Sequence, residues 1–248
     1  MDKQAREELI EKLGDVRKKE DETQEEYVER IREELNHDTK VISVIIQKGG
    51  TGKTTCASNM AYMMAKKGFN VLLVDSDSQA SLTVILNQFD EDTEFVETVG
   101  LSDLYAEVMP DENGVPGQLT KSFVDSVIKK PTYTEYETRR VTKNGKRMIE
   151  RIPHEVPFGF DFICGDISLA DVEIDLATSG DPNAGITLLK IVDFIKENYN
   201  YDFIIFDCAP GLGFNSYNCI SCAANGGLAV VANMELINSR PKSTVVYA

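Results

Sequence analysis

Gln47-Lys-Gly-Gly-Thr-Gly-Lys-Thr-Thr55 is the stretch that decides the fold. An apolar, β-branched run at 41–46 precedes it and reads as a buried strand. A helical segment from about 53 to 67 follows and stops at Gly68, a suitable C′ glycine. Strand, glycine-rich turn and helix in that order are the setting a phosphate-binding loop needs. The glycines let the backbone curl so that successive N–H groups face phosphate oxygens, and the helix N-terminus adds partial positive charge. Lys48, Gly49, Gly50, Thr51, Gly52, Lys53, Thr54 and Thr55 are therefore the candidate nucleotide contacts. Lys53 is expected to reach the β- and γ-phosphates, and the Thr54 hydroxyl to ligate magnesium. The bland alternative is a glycine-rich turn with no ligand, which Gly-Lys-Thr in this setting disfavours. Gln47 stands where the usual pattern has glycine, and Lys48 is an extra cation inside the loop.

Outward from the loop, 71–74, 159–164, 203–206 and 228–231 read as further strands, and 186–198 as an amphipathic helix. Short apolar strands alternating with helices predict an α/β fold, a doubly wound and mainly parallel sheet built on the phosphate loop. Right-handed crossovers then bring all strand C-termini to one edge. Two segments there end in acids. Val71-Leu-Leu-Val-Asp75-Ser-Asp77-Ser-Gln79 places two carboxylates at i and i+2 beside the phosphate site. Tyr201-Asp-Phe-Ile-Ile-Phe-Asp207-Cys-Ala-Pro210 is an apolar strand ending in Asp, a Walker B element, with Asp207 expected to hold magnesium through water.

Residues 1–38 differ in texture. They are charge-dense, and two helical patches show: Ile10, Leu13 and Val16 on one face, then a capping box at Thr23 and Glu26 followed by Tyr27, Ile31 and Leu35. This segment is a charged helical extension that either covers the main domain or serves as a dimerisation or adaptor helix; 39–248 are expected to form the phosphate-loop domain. Residues 87–158 read as an irregular region containing a loop at Pro110, Gly114 and Pro116 and a β-hairpin insert over 133–152 centred on Asn144-Gly145. The insert is locally basic, with Arg139, Arg140, Lys146 and Arg147.

The chain carries 26 Lys plus Arg against 41 Asp plus Glu, net −15. That balance excludes DNA binding by the whole surface and confines any nucleic-acid contact to a local basic patch. No apolar run is long enough to span a membrane and the N-terminus has no apolar signal core, so a cytoplasmic protein is expected. Five scattered cysteines suit a reducing compartment. Cys219-x-x-Cys222 reads as small core residues on a helix, because zinc needs four ligands and only His37 and His154 are present.

Lys48-Gly-Gly-Thr-Gly-Lys-Thr-Thr55 resembles the deviant Walker A motif of the ParA/MinD-type ATPases. The acidic segment resembles that family's Asp-x-Asp-Pro-Gln, with Ser78 in place of proline, and Asp207 to Pro210 resembles its Asp-x-x-Pro. Gly159-Phe-Asp-Phe-Ile-Cys164, the helix start at 169–173 and Asn59 match as well, so the resemblance covers about 41 to 231. Gln79 and Gly-Phe-Asp-Phe favour the ParA branch, and the C-terminal amphipathic helix of MinD-type proteins does not appear. The resemblance implies an ATP-dependent homodimer that sandwiches two nucleotides. Lys48 would be the lysine that crosses to the partner's phosphates and Lys53 the one that acts in its own subunit. Asp77 would position the attacking water, and Asp75 would support magnesium or its waters. It also implies Mg2+ and ATP as cofactors, a ParB-like partner, and plasmid or chromosome partition on DNA, with nucleoid association when DNA is bound. Family members continue beyond the point where this sequence ends at Ala248, so the part holding much of the adenine pocket and basic DNA contacts is expected to be missing.

Two other functions compete. A nucleotide-gated interaction module would recruit a partner with little turnover, which suits the charged N-terminal helices. A bacterial tyrosine kinase of the same loop type is disfavoured by the lack of a terminal tyrosine cluster.

Overall fold

Strands buried on both faces are what the apolar runs predict, and the computed structural model contains them. It describes residues 18–45, 50–86, 99–111, 114–143, 146–224 and 228–231, with only the backbone at 142, 143, 146 and 228–231. The helical patch at Ile10, Leu13 and Val16, the loop residues Gln47, Lys48 and Gly49, and the Asn144-Gly145 turn lie outside these residues.

Five strands form one sheet in the order β5-β2-β6-β1-β7. They are β1 (Lys40–Ile45), β2 (Val71–Ser76), β5 (Asp161–Ile163), β6 (Phe203–Cys208) and β7 (Leu228–Val231). Every pairing among them is parallel. Successive residues of each strand enter different cores, because side chains alternate across the pleat. Val41, Ile45, Leu72, Val74, Ile204 and Phe206 face one core; Ile42, Val44, Leu73 and Ile205 face the other. Helices cover both faces, so the sheet is doubly wound. The second core is closed by α1 (Gln24–Glu34), α2 (Lys53–Lys66) and α3 (Ser81–Leu86). The first is closed by α4 (Leu101–Val108), α5 (Lys121–Val127), α6 (Leu169–Thr178), α7 (Thr187–Asn198) and α8 (Phe214–Ala224).

Helix α1 begins at the capping box read from the sequence: the Thr23 side chain accepts from the Glu26 amide, and Glu26 accepts from the Thr23 amide. Its Tyr27, Val28 and Ile31 are buried, with Tyr27 edge-on to Phe69 at 6.2 Å. Arg32 clamps Asp202 through two bonds of 2.8 and 2.9 Å. The helix is thus packed onto the start of β6 and the turn after α2.

The described part of 87–158 is more regular than its sequence suggests. It contains helices α4 and α5, both amphipathic and both docked on the first core. Leu101, Leu104, Tyr105 and Val108 recur at helical spacing and are all buried. The Gly100 amide is satisfied by the Asp103 carboxylate at 2.7 Å, and α5 is capped by Thr120, whose hydroxyl accepts from the Phe123 amide. The hairpin insert is present and longer than its predicted bounds: β3 (Thr132–Lys143) pairs antiparallel with β4 (Lys146–Pro157), from Thr132 opposite Pro157 to Lys143 opposite Lys146. Its base is held to α2 by an aromatic stack in which Phe158 contacts Tyr62, Tyr133 and Phe160.

Candidate functional site

All five sheet strands point the same way, so β1, β2 and β6 deliver their C-terminal ends to one edge. Strand β6 lies between β1 and β2, and its register sets Asp207 beside Val44 on one side and Asp75 on the other. Helix α2 starts at the same edge. Gly52, at φ 86°, is its N-terminal flanking residue, and the Cys56 amide closes the first turn on the Gly52 carbonyl at 2.8 Å. A side chain at that φ would be strained, which accounts for glycine there. The free N–H groups of this first turn open onto the edge that carries the two aspartates.

Lys53 is only 8% exposed. Lysine is rarely buried without a counter-charge, and here Asp207 lies close enough for the two to interact. Asp207 is 1% exposed, and its Oδ1 has no hydrogen-bond partner among the described residues. Burial pushes its carboxyl up to about 7, and the neighbouring Asp75 and Asp77 push the same way; a hydrogen bond from the Thr54 side chain and the charge of Lys53 oppose this. An unpartnered, desolvated carboxylate oxygen beside a threonine hydroxyl is costly unless a cation meets it. Magnesium fits that donor set, because it takes few protein ligands and completes its shell with water and phosphate oxygens. Among the described residues no group of three His, Cys, Asp or Glu could form an all-protein metal cage.

Asp75 is differently employed. It is fully buried, and its Oδ2 accepts from both the amide and the hydroxyl of Thr83, at 2.9 and 2.8 Å. Its Oδ1 accepts from the Asp77 amide at 3.2 Å. Burial pushes its carboxyl up to about 6 despite these bonds. Gly165 closes over it: a Cβ there would lie 2.8 Å from the Asp75 carbonyl oxygen, and its amide donates to the Thr83 hydroxyl at 2.8 Å. Asp77 itself stands half-buried just beyond β2, with its Oδ1 accepting from the Gln79 amide at 3.0 Å.

The structure thus brings Gly50, Thr51, Gly52, Lys53, Thr54, Asp75, Asp77 and Asp207 to one edge. Lys48 and Gly49 lie outside the described residues, and Thr55 is exposed on the first turn of α2. Thr83 and Gly165 were not singled out from the sequence. Thr83 carries a readable sign, a hydroxyl residue eight positions after Asp75 in the short helix that follows the acidic turn. Gly165 carries none, since its partner is distant in the chain.

Cys208, Cys219 and Cys222 are buried and free, and Cys219 donates to the Ser76 hydroxyl at 3.3 Å inside the first core, so Cys-x-x-Cys is packing. The basic residues of the hairpin do not form one patch. Arg139 and Arg140 are successive on β3 and so face opposite ways; Arg147 lies on the side of Arg140, and of Lys146 only the backbone is described.

A family model described as AAA domain matches residues 39–236. Over 184 residues the chain is 28% identical to the sporulation initiation inhibitor protein Soj of Bacillus subtilis, a match covering 74% of this chain and 55% of Soj. It is 27% identical over 184 residues to the chromosome partitioning protein ParA of Caulobacter vibrioides, covering 74% and 53%. The chain therefore spans about half the length of these curated relatives. A plasmid partition protein from Borrelia burgdorferi superposes with a TM-score of 0.53 at 21% identity, over 82% of this chain and 70% of that one. Cobyrinic acid a,c-diamide synthase from Mycobacterium smegmatis, with bound ADP and magnesium, gives 0.52 at 23% identity, over 78% and 59%. These superpositions establish a shared fold. Among the described residues no helix is long and apolar enough to cross a membrane.

Proposed function

We propose that this chain, which belongs to the AAA-domain family and is a ParA/MinD-type P-loop ATPase, binds ATP with magnesium, pairs with a second copy around the nucleotides, and hydrolyses them as a timer in plasmid or chromosome partition. The observation that carries this reading is the meeting of Lys53, Thr54 and the unpartnered Oδ1 of Asp207 at the mouth of the α2 N-terminus.

Each residue then has a task. The amides of the Gly50–Thr54 turn hold phosphate oxygens, and Lys53 balances charge on the β- and γ-phosphates. Thr54 and Asp207 would hold magnesium, which when bound neutralises charge on the phosphates. Asp77 orients and polarises the attacking water. Asp75 acts through Asp77: it fixes the turn after β2 by accepting the Asp77 amide, and Thr83 fixes Asp75 in turn. Lys48 reaches across the dimer to the partner's phosphates, as an arginine finger would.

A face suited to a second copy adjoins this edge. Ile167, Ile174, Leu212, Phe214 and Tyr217 are exposed apolar side chains around the loop that follows Asp207. They are tied together, since Asn215 donates to the Leu169 carbonyl and Gly213 abuts Glu173. Exposed apolar groups clustered in this way mark an interaction surface. The partner set is completed by a ParB-like protein and by DNA, in the cytoplasm and on the nucleoid when DNA is bound.

Single-turnover hydrolysis with a fluorescent nucleotide tests the assignment. Asp77→Ala is expected to keep nucleotide affinity and lose hydrolysis by roughly 100-fold or more. Lys48→Ala is expected to keep monomer binding and lose ATP-dependent dimerisation. Full hydrolysis in the Asp77 variant, or normal ATP-dependent dimers in the Lys48 variant, would remove those two roles.

A further inference from the structure

The β3–β4 ribbon presents two unlike faces to solvent. On one, Arg139 stands opposite Glu150, and Glu135 and Glu137 share the face with His154, whose Nε2 lies 3.3 Å from Glu137. Cations and acids are mixed there. On the other, Arg140 stands opposite Ile149, Arg151 opposite Thr138, and Arg147 opposite Thr142. All three arginines are exposed, and from Tyr136 outward this second face carries no acid among the described side chains. Its one carboxylate, Glu155, sits at the base, where it accepts from the Thr132 and Thr134 hydroxyls.

The spacing follows from the register. Arg147 and Arg151 are four residues apart on β4, about 13 Å, and Arg140 lies diagonally from each across the pair, about 7–8 Å away. They form a triangle around Ile149, which is 69% exposed, with Tyr136 at 62% further down the same face.

We propose that this face docks duplex DNA, with the ribbon lying in the major groove and Arg140, Arg147 and Arg151 meeting the phosphates that flank it. The major groove of B-DNA, about 12 Å wide, admits a two-stranded ribbon, whereas the deep, narrow major groove of double-stranded RNA does not. Arginine pairs with phosphate in a bidentate way, and the exposed Thr138 hydroxyl adds the kind of neutral donor that backbone contacts use. The chain's net charge of −15 does not forbid this, because at physiological salt charges beyond about 8 Å are screened. The inference rests on DNA being a partner of this ATPase, and it names the surface that holds it.

The test is fluorescence anisotropy of a short labelled DNA duplex with the full chain across a salt series, together with nucleotide affinity and thermal midpoint on the same samples. Replacing Arg140, Arg147 and Arg151 together by Ala is expected to weaken binding by on the order of tenfold or more and to lower the log–log salt slope by about 2–3. Arg139→Ala, on the mixed face, is expected to leave affinity within about twofold. The proposal is overturned if the parent binds no duplex, if the triple variant binds with unchanged affinity and slope, if Arg139→Ala costs as much as the triple, or if duplex RNA of the same length binds as tightly. Loss of nucleotide binding by the parent with its duplex affinity intact would count against the ATPase reading and leave this surface standing.

Discussion

Asp207 and Asp75 are neighbours in one register row, both buried, yet their surroundings assign them different work. Asp75 spends its oxygens on Thr83 and the Asp77 amide, while Asp207 keeps one oxygen unpartnered. Both carboxyls titrate above the ordinary range because burial disfavours their charged forms. A carboxyl whose pKa is higher in the folded chain binds more protons when folded. Between about 4, the unfolded value, and about 7, it therefore lowers stability as pH rises. Asp207→Asn removes that dependence. Without magnesium, the variant is expected to exceed the parent's stability at pH 8 by on the order of 1 kcal/mol or more, with the gap closing towards pH 5. Denaturant melts at the two pH values check this, and a gap that does not change with pH contradicts it. Thr83→Val strips one bond from Asp75 and leaves the buried Gly165 amide unpaired, at a cost of about 1–3 kcal/mol. If Asp75 acts by holding Asp77, hydrolysis in this variant falls more than nucleotide affinity does, which parallel binding and turnover assays separate.

At the scale of elements, the strands were legible because a parallel sheet buried on both faces demands continuous apolar runs. Their ends were less so. Strands β2 and β6 run two residues past the apolar stretch, through Asp75-Ser76 and Asp207-Cys208, because backbone pairing is indifferent to side-chain polarity. That extension carries the two acids into the protein interior. Strand β5 is shorter than its apolar run, since Gly159 sits at φ 89° in a turn just before it. Helix α4 has an apolar pattern at Leu101, Leu104, Tyr105 and Val108, but at eight residues it is too short for that period to stand out among the loop signals around it. Its core role gives it a test. Leu104 is fully buried, so Leu104→Ala is expected to cost about 2–5 kcal/mol in a denaturant melt. A loss below that range would mean α4 is loosely docked. The hairpin was legible from Asn144-Gly145. Its full length was not, because Pro153 and Pro157 look like strand breakers, and a two-stranded ribbon with open edges tolerates them.

Across the whole molecule, three exposed arginines share one face of the β3–β4 ribbon while Arg139 lies on the other, and exposed apolar side chains stand both on that ribbon and beside the loop after Asp207, in a chain of net −15. What the sequence could not disclose was the third dimension of these groupings: Arg139 and Arg140 are adjacent in the chain and on opposite faces in space, whereas Asp75 and Gly165 are distant in the chain and in contact. The edge where β1, β2, β6 and the start of α2 meet was the most legible part, since a strand, a glycine turn and a helix leave the chain little choice of direction. The most direct measurement is a calorimetric titration of ATP with magnesium into the chain and into its Lys53→Ala variant. The parent is expected to bind saturably, and the variant to lose affinity by about 100-fold or more, as the loss of a buried charge-assisted contact requires. A Lys53→Ala variant that binds Mg-ATP as tightly as its parent would contradict the account.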